Sequence, residues 1–240
     1  MEHNFQVTDK VGEVVTRFPK SSEILKEYKI DFCCGGHRSL ADAAKEAHAD
    51  ENEVVTKLNS LYKETKSNIE QDRDFTRMSY NRLIDYIVNT HHTYMHQVLP
   101  ELSELTTKIL RVHGPGHDYL KQVHKLFHTL KMDIEQHLIK EEEELFPLII
   151  AYQKNPSDEL LAKIIKLSDE LDEEHTGAGD ILKELRKVTE DYCLPKDACK
   201  TFTRTYEILA EMESDLFQHI HLENNILFPR LKNEQGAHTH

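Results

Sequence analysis

The sequence predicts an all-α protein, in which a small helical domain precedes an antiparallel four-helix bundle. From residue 76 onward, four long stretches repeat apolar residues every three to four positions, as amphipathic helices do. Short segments rich in glycine, proline or polar residues separate these stretches, and short connections favour antiparallel neighbours. No part of the sequence shows the sustained apolar–polar alternation of a half-buried strand, so we expect no sheet.

The small domain is predicted to cover residues 1–62. Three short helices are expected in it, at SSEILKEY (residues 21–28), at residues 42–49 and at residues 53–62. The intervening IDFCCGGH is predicted to form a turn, because paired glycines break helices. The polar segment KETKSNIEQDRDF, residues 63–75, has no clear apolar face and is predicted to be a linker.

The bundle is predicted to cover residues 76–232. The first helical pattern stops at HGPGH, the second ends before NPSD, the third runs from about residue 158 to 188, and the fourth runs from about 195 to 231. Residues 233–240 are predicted to form a disordered tail.

Composition and charge exclude several classes of function. The formal net charge of −13 argues against nucleic acid and anionic membranes as partners, because both require a basic patch. No apolar run approaches the length of a membrane span, and MEHNFQVTDKVGEVV lacks a signal-peptide core. We therefore expect a cytoplasmic protein whose 4 cysteines are thiols, and the 16 histidines direct attention to metal binding.

One frame of residues occurs twice, as HLIKEEEELFP at 137–147 and as HIHLENNILFP at 219–229. Residues four apart lie on nearly one helical face, so His137 projects with Glu141, and His219 with Glu223. Apolar residues at −7, −3, +1 and +8 from each histidine place both pairs inside a predicted buried stripe. The two sets of apolar residues are Leu130, Ile134, Leu138 and Leu145, and Met212, Leu216, Ile220 and Leu227.

A buried carboxylate requires a cationic partner, and lysine and arginine are absent from these stripes. A metal is therefore the predicted partner. His175 lies on an apolar stripe of the third helix, and THHTYMH in the first helix offers His91, His92 and His96. Two hairpins that each supply such ligands are typical of two metals bridged by carboxylates in a bundle core. Four imidazoles and two carboxylates suit iron best, with manganese or zinc as competitors.

Several motifs together resemble a known family: YKIDFCCGG, LPEL, H-x-x-x-E-E…LFP, E-E-H…AG and HLENN-x-LFP. The bundle resembles the hemerythrin-like superfamily, and with FCCGG in front the whole chain resembles the repair-of-iron-centres family. The resemblance implies a hemerythrin-like bundle with two non-haem iron ions, in a stress-response protein that restores iron–sulfur clusters after nitrosative or oxidative damage. The family's spacing to LPEL implies His92 rather than His91, a choice that periodicity alone leaves open. The implied ligands are His92, His137, Glu141, His175, His219 and Glu223, with both glutamates as bridges.

The vicinal pair Cys33 and Cys34 is the second candidate site. Adjacent cysteines can form a strained, easily reduced disulfide, and the two glycines that follow free the backbone for close approach to another surface. We predict a redox or iron-relay role near the di-iron site, and the alternative is two buried thiols in a helical cap. Other candidates are expected to be ordinary thiols or simple surface residues: Cys193, Cys199, His113 and His117.

The leading hypothesis for function is cluster repair, by iron donation to damaged iron–sulfur proteins, by reduction of nitric oxide to nitrous oxide, or by both. Enzymatic activity would then be that of a non-haem di-iron nitric oxide reductase. The alternatives are a hemerythrin-like carrier or sensor of O₂ or NO, a metal-free interaction module, and a ferritin-like oxidase, whose Glu-x-x-His pattern is poorer in histidine. The resemblance also suggests a homodimer formed through the N-terminal unit.

Overall fold

The computed structural model describes residues 5–65 and 74–237. Within these ranges every regular element is helical, and the β-type pairing is limited to one isolated bridge between Lys10 and Ser39. This confirms the all-α prediction. The described residues form two compact units, one comprising Tyr80–His219 and the other comprising the described residues before and after that range. Among the described helices, none combines the length and the apolar character needed to cross a membrane.

The unit that contains the N-terminal residues has four helices before residue 66. They are α1 (Val11–Arg17), α2 (Ser21–Glu27), α3 (Leu40–Glu46) and α4 (Glu51–Thr65). The last three lie where the sequence predicts short helices, whereas α1 was not predicted. Valines dominate the buried side of α1 and are weak helix formers, so its stability depends on packing rather than on intrinsic propensity.

The predicted linker and tail fall partly outside the described residues. Residues 63–65 complete α4, residues 66–73 lie outside the described ranges, and a 3₁₀ turn occupies Phe75–Arg77. At the other terminus α11 (Phe228–Ala237) continues past residue 232, and residues 238–240 lie outside the described ranges.

The second unit contains the long helices of the predicted bundle. They are α5 (Tyr80–Ile87), α6 (Thr93–His113), α7 (Leu120–Lys140), α8 (Phe146–Lys154), α9 (Asp158–Val188) and α10 (Lys200–Leu222), of which α10 continues past the end of the unit at His219. The side chains of Thr107 and His124 meet near one end of α6 and α7, and those of His92 and Glu142 meet near the other. As the residue number rises along one helix it falls along the other, so α6 and α7 are antiparallel.

Three π-helical turns interrupt the long helices, at Val88–His92, Glu141–Leu145 and Glu223–Leu227. The Phe146 N–H extends the second turn by donating to the Glu141 carbonyl, and the Phe228 N–H does the same for Glu223 in the third. In both repeats of the frame, the proline is then the second residue of the helix that follows. Such turns are frequent at functional sites, and here each contains or begins with a predicted metal ligand.

The apolar stripes around the repeated frames are buried as predicted. All eight of the apolar residues that flank His137 and His219 have relative exposures of 3% or less. The histidines and carboxylates between them therefore lie in the interior, where polar groups need a specific partner.

Candidate metal centre

Four imidazoles and one carboxylate converge inside the unit Tyr80–His219. Each of the five residues is at most 6% exposed, and Glu141 is fully buried. The five residues are His92 at the end of the first π turn, His137 on α7, Glu141 at the start of the second π turn, His175 on α9 and His219 on α10.

Glu141 lies between two pairs of imidazoles. Its Oε1 atom is 3.2 Å from His137 Nε2, while its Oε2 atom is 3.3 Å from His92 Nε2 and 3.5 Å from His219 Nε2. Within the first pair the Nε2 atoms of His137 and His175 are 2.9 Å apart, and within the second pair those of His92 and His219 are 3.3 Å apart. Two sets of donors thus share one carboxylate, each set facing a different oxygen.

The chemistry of these donors fits metal ions. Among the described residues, neither oxygen of Glu141 has a hydrogen-bond donor of normal geometry, although the carboxylate is completely buried. Nitrogen atoms that face one another at hydrogen-bond distance also need something between them, either a proton or a cation. Imidazole nitrogen and carboxylate oxygen suit iron, manganese and zinc, so the cluster is suited to binding a metal such as iron.

Carboxylates outside the cluster orient two of the imidazoles. Glu142 Oε1 is 2.7 Å from His92 Nδ1, and Glu174 Oε2 is 2.9 Å from His137 Nδ1. Lys140 forms an ion pair with Glu174 in turn. When Nδ1 donates its hydrogen to a carboxylate, the Nε2 lone pair points toward the cluster, as a metal ligand requires.

Sequence reasoning did not assign a role to Glu142 or Glu174. A signal was present, because each adjoins a predicted ligand in the runs H-x-x-x-E-E and E-E-H. Helical periodicity places such neighbours about 100° away from the ligand face, so their contact with a histidine on another helix emerges only in the folded structure.

The ionisation of Glu174 and of Glu141 depends on the neighbouring imidazoles. The hydrogen bond with His137, together with Lys140, lowers the pKa of Glu174 to about 2, although partial burial opposes this. Burial by itself raises the pKa of Glu141, but the charge of His137 and the proximity of His92 and His219 bring this pKa well below its usual value. That lowering requires positive charge on the imidazoles, and a bound cation supplies the same charge when the imidazoles are neutral.

The two adjacent histidines of the first helix have different environments. His92 lies in the cluster, whereas His91 Nδ1 is 3.0 Å from Asp215 Oδ1 and its ring stacks at 5.9 Å on that of His219. His96 has a side chain that is 56% exposed. Of these three histidines, the structure therefore places His92 in the cluster with Glu141 and His219.

Glu223 belongs to the unit that contains the N-terminal residues. It is fully buried at the start of its π turn and follows His219 by four residues in one helical run. Its role as a second carboxylate ligand stays a prediction.

The Cys33–Cys34 loop of the same unit is organised around one carboxylate. Asp31 Oδ1 accepts hydrogen bonds from the backbone N–H groups of Cys33, Cys34 and Gly35, each at 3.1 Å. The two sulfur atoms are 3.6 Å apart. Burial raises the pKa of the Cys33 thiol well above its usual value, while Cys34 is half-buried and therefore the more accessible of the two.

The cysteine loop packs against the π turn that begins at Glu223, and both belong to one unit. Asn225 Nδ2 donates to the carbonyls of Cys33, at 3.0 Å, and Phe32, at 3.3 Å. Gly36 allows this approach, because a Cβ atom there would collide with the Asn225 side chain. The Asn225 side chain thus links the cysteine loop to the helical turn that carries a predicted ligand.

Comparison with known proteins defines the class to which this fold and cluster belong. Residues 83–231 match the hemerythrin HHE cation binding domain. Residues 7–62 match ScdA_N, a family described as a domain of unknown function. The chain therefore carries a hemerythrin-type cation-binding domain behind a second, separately recognised domain.

Relatives of full length narrow the class to a family. An iron-sulfur cluster repair protein ScdA of Staphylococcus haemolyticus is 33% identical over 91% of this chain and 95% of its own length. A probable iron-sulfur cluster repair protein of Haemophilus influenzae is 34% identical, over 94% and 97% respectively. An iron-sulfur cluster repair protein YtfE of Escherichia coli O81 is 31% identical, over 92% and 94%. The chain belongs to this ScdA/YtfE family, which confirms the resemblance found in the sequence.

Proposed function

We propose that this protein repairs damaged iron–sulfur clusters by donating iron from a centre that holds two iron ions. The names of its relatives and the donor chemistry of the buried cluster support this proposal. In it the ligands are the six residues predicted from the sequence: His92, His137, Glu141, His175, His219 and Glu223.

The position of Glu141 is the observation that carries the proposal. Its Oε1 atom faces His137 at 3.2 Å and its Oε2 atom faces His92 and His219 at 3.3 and 3.5 Å, an arrangement that suits a carboxylate bridging two ions. Glu223 is the second bridge in this proposal, because it repeats the spacing of Glu141 from its histidine and is equally buried.

The donor set also suits iron as cargo. The six ligands offer only nitrogen and oxygen, whereas iron–sulfur proteins bind iron through thiolates, which are softer donors. Transfer from this centre to vacant thiolates of a damaged cluster is therefore favoured by the ligands at the destination. Glu142 holds the imidazole of His92 in place, and Glu174 holds that of His137. The site therefore keeps its geometry after iron leaves and before iron binds again.

Cys33 and Cys34 act as the relay for iron in this proposal. Cys34 is the accessible member, and the raised pKa of Cys33 keeps that thiol protonated until a cation arrives. Asn225 connects the loop to the turn that begins at Glu223, which gives a short route from a proposed ligand to the thiols. Because the relay needs reduced cysteines, we assign the protein to the cytoplasm, where thiols are kept reduced.

Reduction of nitric oxide is the second candidate, in which two NO molecules, two electrons and two protons give N₂O and water. The shared carboxylate favours it, since two donor sets around Glu141 would hold two small ligands side by side. Iron, when bound, supplies the electrons and the open coordination positions. A carrier or sensor of NO or O₂ would instead release its ligand unchanged.

An anaerobic assay with two readouts tests these functions. The iron-loaded protein is mixed with a [4Fe–4S] enzyme that nitric oxide has inactivated, and both recovery of that enzyme and production of N₂O are measured. We expect recovery with isotopically labelled iron in the rebuilt cluster. Production of N₂O without transfer of the label would favour reduction. If the enzyme did not recover and no N₂O formed, both candidates would be contradicted.

Two variants make the assay specific. Glu141→Gln should hold little iron and support no recovery, whereas Cys33→Ser/Cys34→Ser should retain iron and transfer it slowly. Equal recovery with Glu141→Gln would show that free iron, rather than this centre, repairs the cluster. Loss of iron from the double cysteine variant would show that the thiols are ligands instead of a relay.

The predicted homodimer is checked on the same samples by light scattering.

A further inference from the structure

A second group of metal-type ligands lies at the other end of α6 and α10. His113 is the last residue of α6, His117 follows in the HGPGH turn, and Asp197 lies just before α10. Ligand atoms of these three residues all lie within 4.8 Å of one another. His117 Nε2 is 3.0 Å from both oxygens of Asp197, and His113 Nε2 is 3.2 Å from the Cys199 sulfur.

The backbone of the HGPGH turn holds the imidazoles of His113 and His117 close together, on the same side of the turn. The Gly116 N–H donates to the His113 carbonyl at 3.0 Å, and the His117 N–H donates to the Gly114 carbonyl at 3.3 Å. The histidine rings are consequently 6.3 Å apart, measured between centroids, and both present an edge or face to the buried ring of Phe202. A buried aromatic ring in this position excludes water from one side of the ligand group and strengthens charge interactions there.

We propose that His113, His117, Asp197 and Cys199 bind one divalent ion of the zinc class, at a site separate from the Glu141 centre. Two imidazoles, a carboxylate and a thiolate are all zinc ligands, and four of them complete a tetrahedral shell. With bonds of about 2.0–2.3 Å, the donor atoms of such a shell lie about 3.3–3.7 Å apart. The observed pairs at 3.0 and 3.2 Å need to open by only a few tenths of an ångström.

The chemistry of Cys199 supports its role as the fourth ligand. It immediately precedes α10, and its sulfur already lies 3.2 Å from His113 Nε2, which is another proposed ligand. Cys199 is exposed, so its sulfur can turn toward the ion by rotation about one side-chain bond. Asp197 is exposed as well and leaves an open approach for the ion from solvent.

The two proposed metal sites are far enough apart to function independently. His92 and His113 are separated by 21 residues of nearly continuous helix, which corresponds to roughly 30 Å. An ion at the second site would connect the turn between α6 and α7 to the start of α10, segments that are distant in sequence. Its expected effect is to stabilise this end of the unit, whatever the state of the Glu141 centre.

Zinc titration of the full chain tests the proposal. Calorimetric titration of the iron-loaded protein with Zn²⁺ should reveal one equivalent that His117→Ala and Asp197→Asn lose or bind at least about tenfold more weakly. Glu141→Gln should still bind this one equivalent of Zn²⁺, so failure of the proposed function at the Glu141 centre can be distinguished from failure of the zinc site. His124→Ala is the matched control, because it removes one member of another histidine pair, His124 and His128, on α7. Equal zinc binding by wild type, His117→Ala and Asp197→Asn, or loss of the equivalent in His124→Ala, would overturn the site.

Alkylation of the thiols tests the fourth ligand. Cys193 and Cys199 are both exposed and lie six residues apart, so Cys193 provides an internal reference. Zn²⁺ should slow the reaction of Cys199 with iodoacetamide at least about tenfold and leave Cys193 unchanged, as followed by mass spectrometry of the peptides. Equal rates with and without Zn²⁺ at Cys199 would overturn its assignment as a ligand.

Discussion

At Glu141 a completely buried carboxylate faces three imidazoles, and its charge decides what the cluster can bind. Glu141→Gln keeps the shape of the side chain but removes the negative charge and one acceptor oxygen. We expect this variant to retain its helical content by circular dichroism and to lose most of its iron, measured per chain after reconstitution, because the two donor sets no longer share an anionic ligand.

Glu143→Gln is the matched control for that prediction. Glu143 is exposed two residues further along the same π turn, so its loss changes the net charge equally without touching the cluster. Iron content near that of wild type is expected for it. If both variants bound the same amount of iron, the carboxylate of Glu141 would be unnecessary and the bridging proposal would be wrong.

Glu174 acts one step further from the ions, through His137. Because its pKa is lowered to about 2, its contribution is fully present above its unfolded pKa of 4.5 and is lost only as pH falls toward 2. Glu174→Gln should therefore weaken iron binding about 10–100-fold at neutral pH, since the Nδ1 atom of His137 loses its anionic partner. Competition with a chelator measures the affinity. Glu173→Gln, at an exposed neighbouring position, should bind iron as wild type does.

Among the secondary-structure elements, the long helices were predictable and the π turns were not. Periodic apolar residues indicate which face of α7 is buried, because burial is what fixes the face of an amphipathic helix. One additional residue in a turn rotates everything after it by about 100° without changing composition, so a pattern alone does not reveal it. The valine-rich α1 escaped prediction for a related reason, since contact with the Glu223–Leu227 turn stabilises it.

The contact between the cysteine loop and that π turn leads to a prediction about one side chain. Asn225→Asp keeps the size of the side chain but replaces the NH₂ donor that binds the carbonyls of Phe32 and Cys33. We expect destabilisation of about 1–3 kcal/mol, because buried carbonyls lose a partner and face a negative charge. Amide hydrogen exchange should accelerate in residues 33–36, which locates the effect in the loop.

Asn52 offers a comparison for Asn225, because it is an exposed asparagine in α4 of the same unit. Asn52→Asp should leave both the stability and the exchange rates of the loop unchanged. Unchanged exchange in Asn225→Asp as well would mean that the two hydrogen bonds do not hold the loop, and the proposed route from Glu223 to the thiols would lose its support.

For the molecule as a whole, the sequence predicted residues that share a helix face more readily than residues that meet across helices. His137 and Glu141 were identifiable because both lie in one apolar stripe at a fixed interval. His113 and Cys199 are 86 residues apart and lie at a helix end and before a helix start, where no periodic pattern applies. His92 meets His219 near one end of α6 and α10, and His113 meets Cys199 near the other, so these two helices are antiparallel. That arrangement becomes visible only in three dimensions.

Removal of iron should destabilise the whole bundle unit. A ligand at one hundred times its dissociation constant stabilises the folded state by about 3 kcal/mol, and for a unit of this size that corresponds to a change in Tm of about 5–10 °C. We therefore expect a strong chelator to lower the Tm of the reconstituted protein by this amount. The physical reason is that the same helices must then accommodate a buried Glu141 and four imidazoles without a cation. Glu141→Gln should melt at one temperature with or without the chelator, and an equal loss of Tm in both proteins would mean that the chelator destabilises the fold by another route.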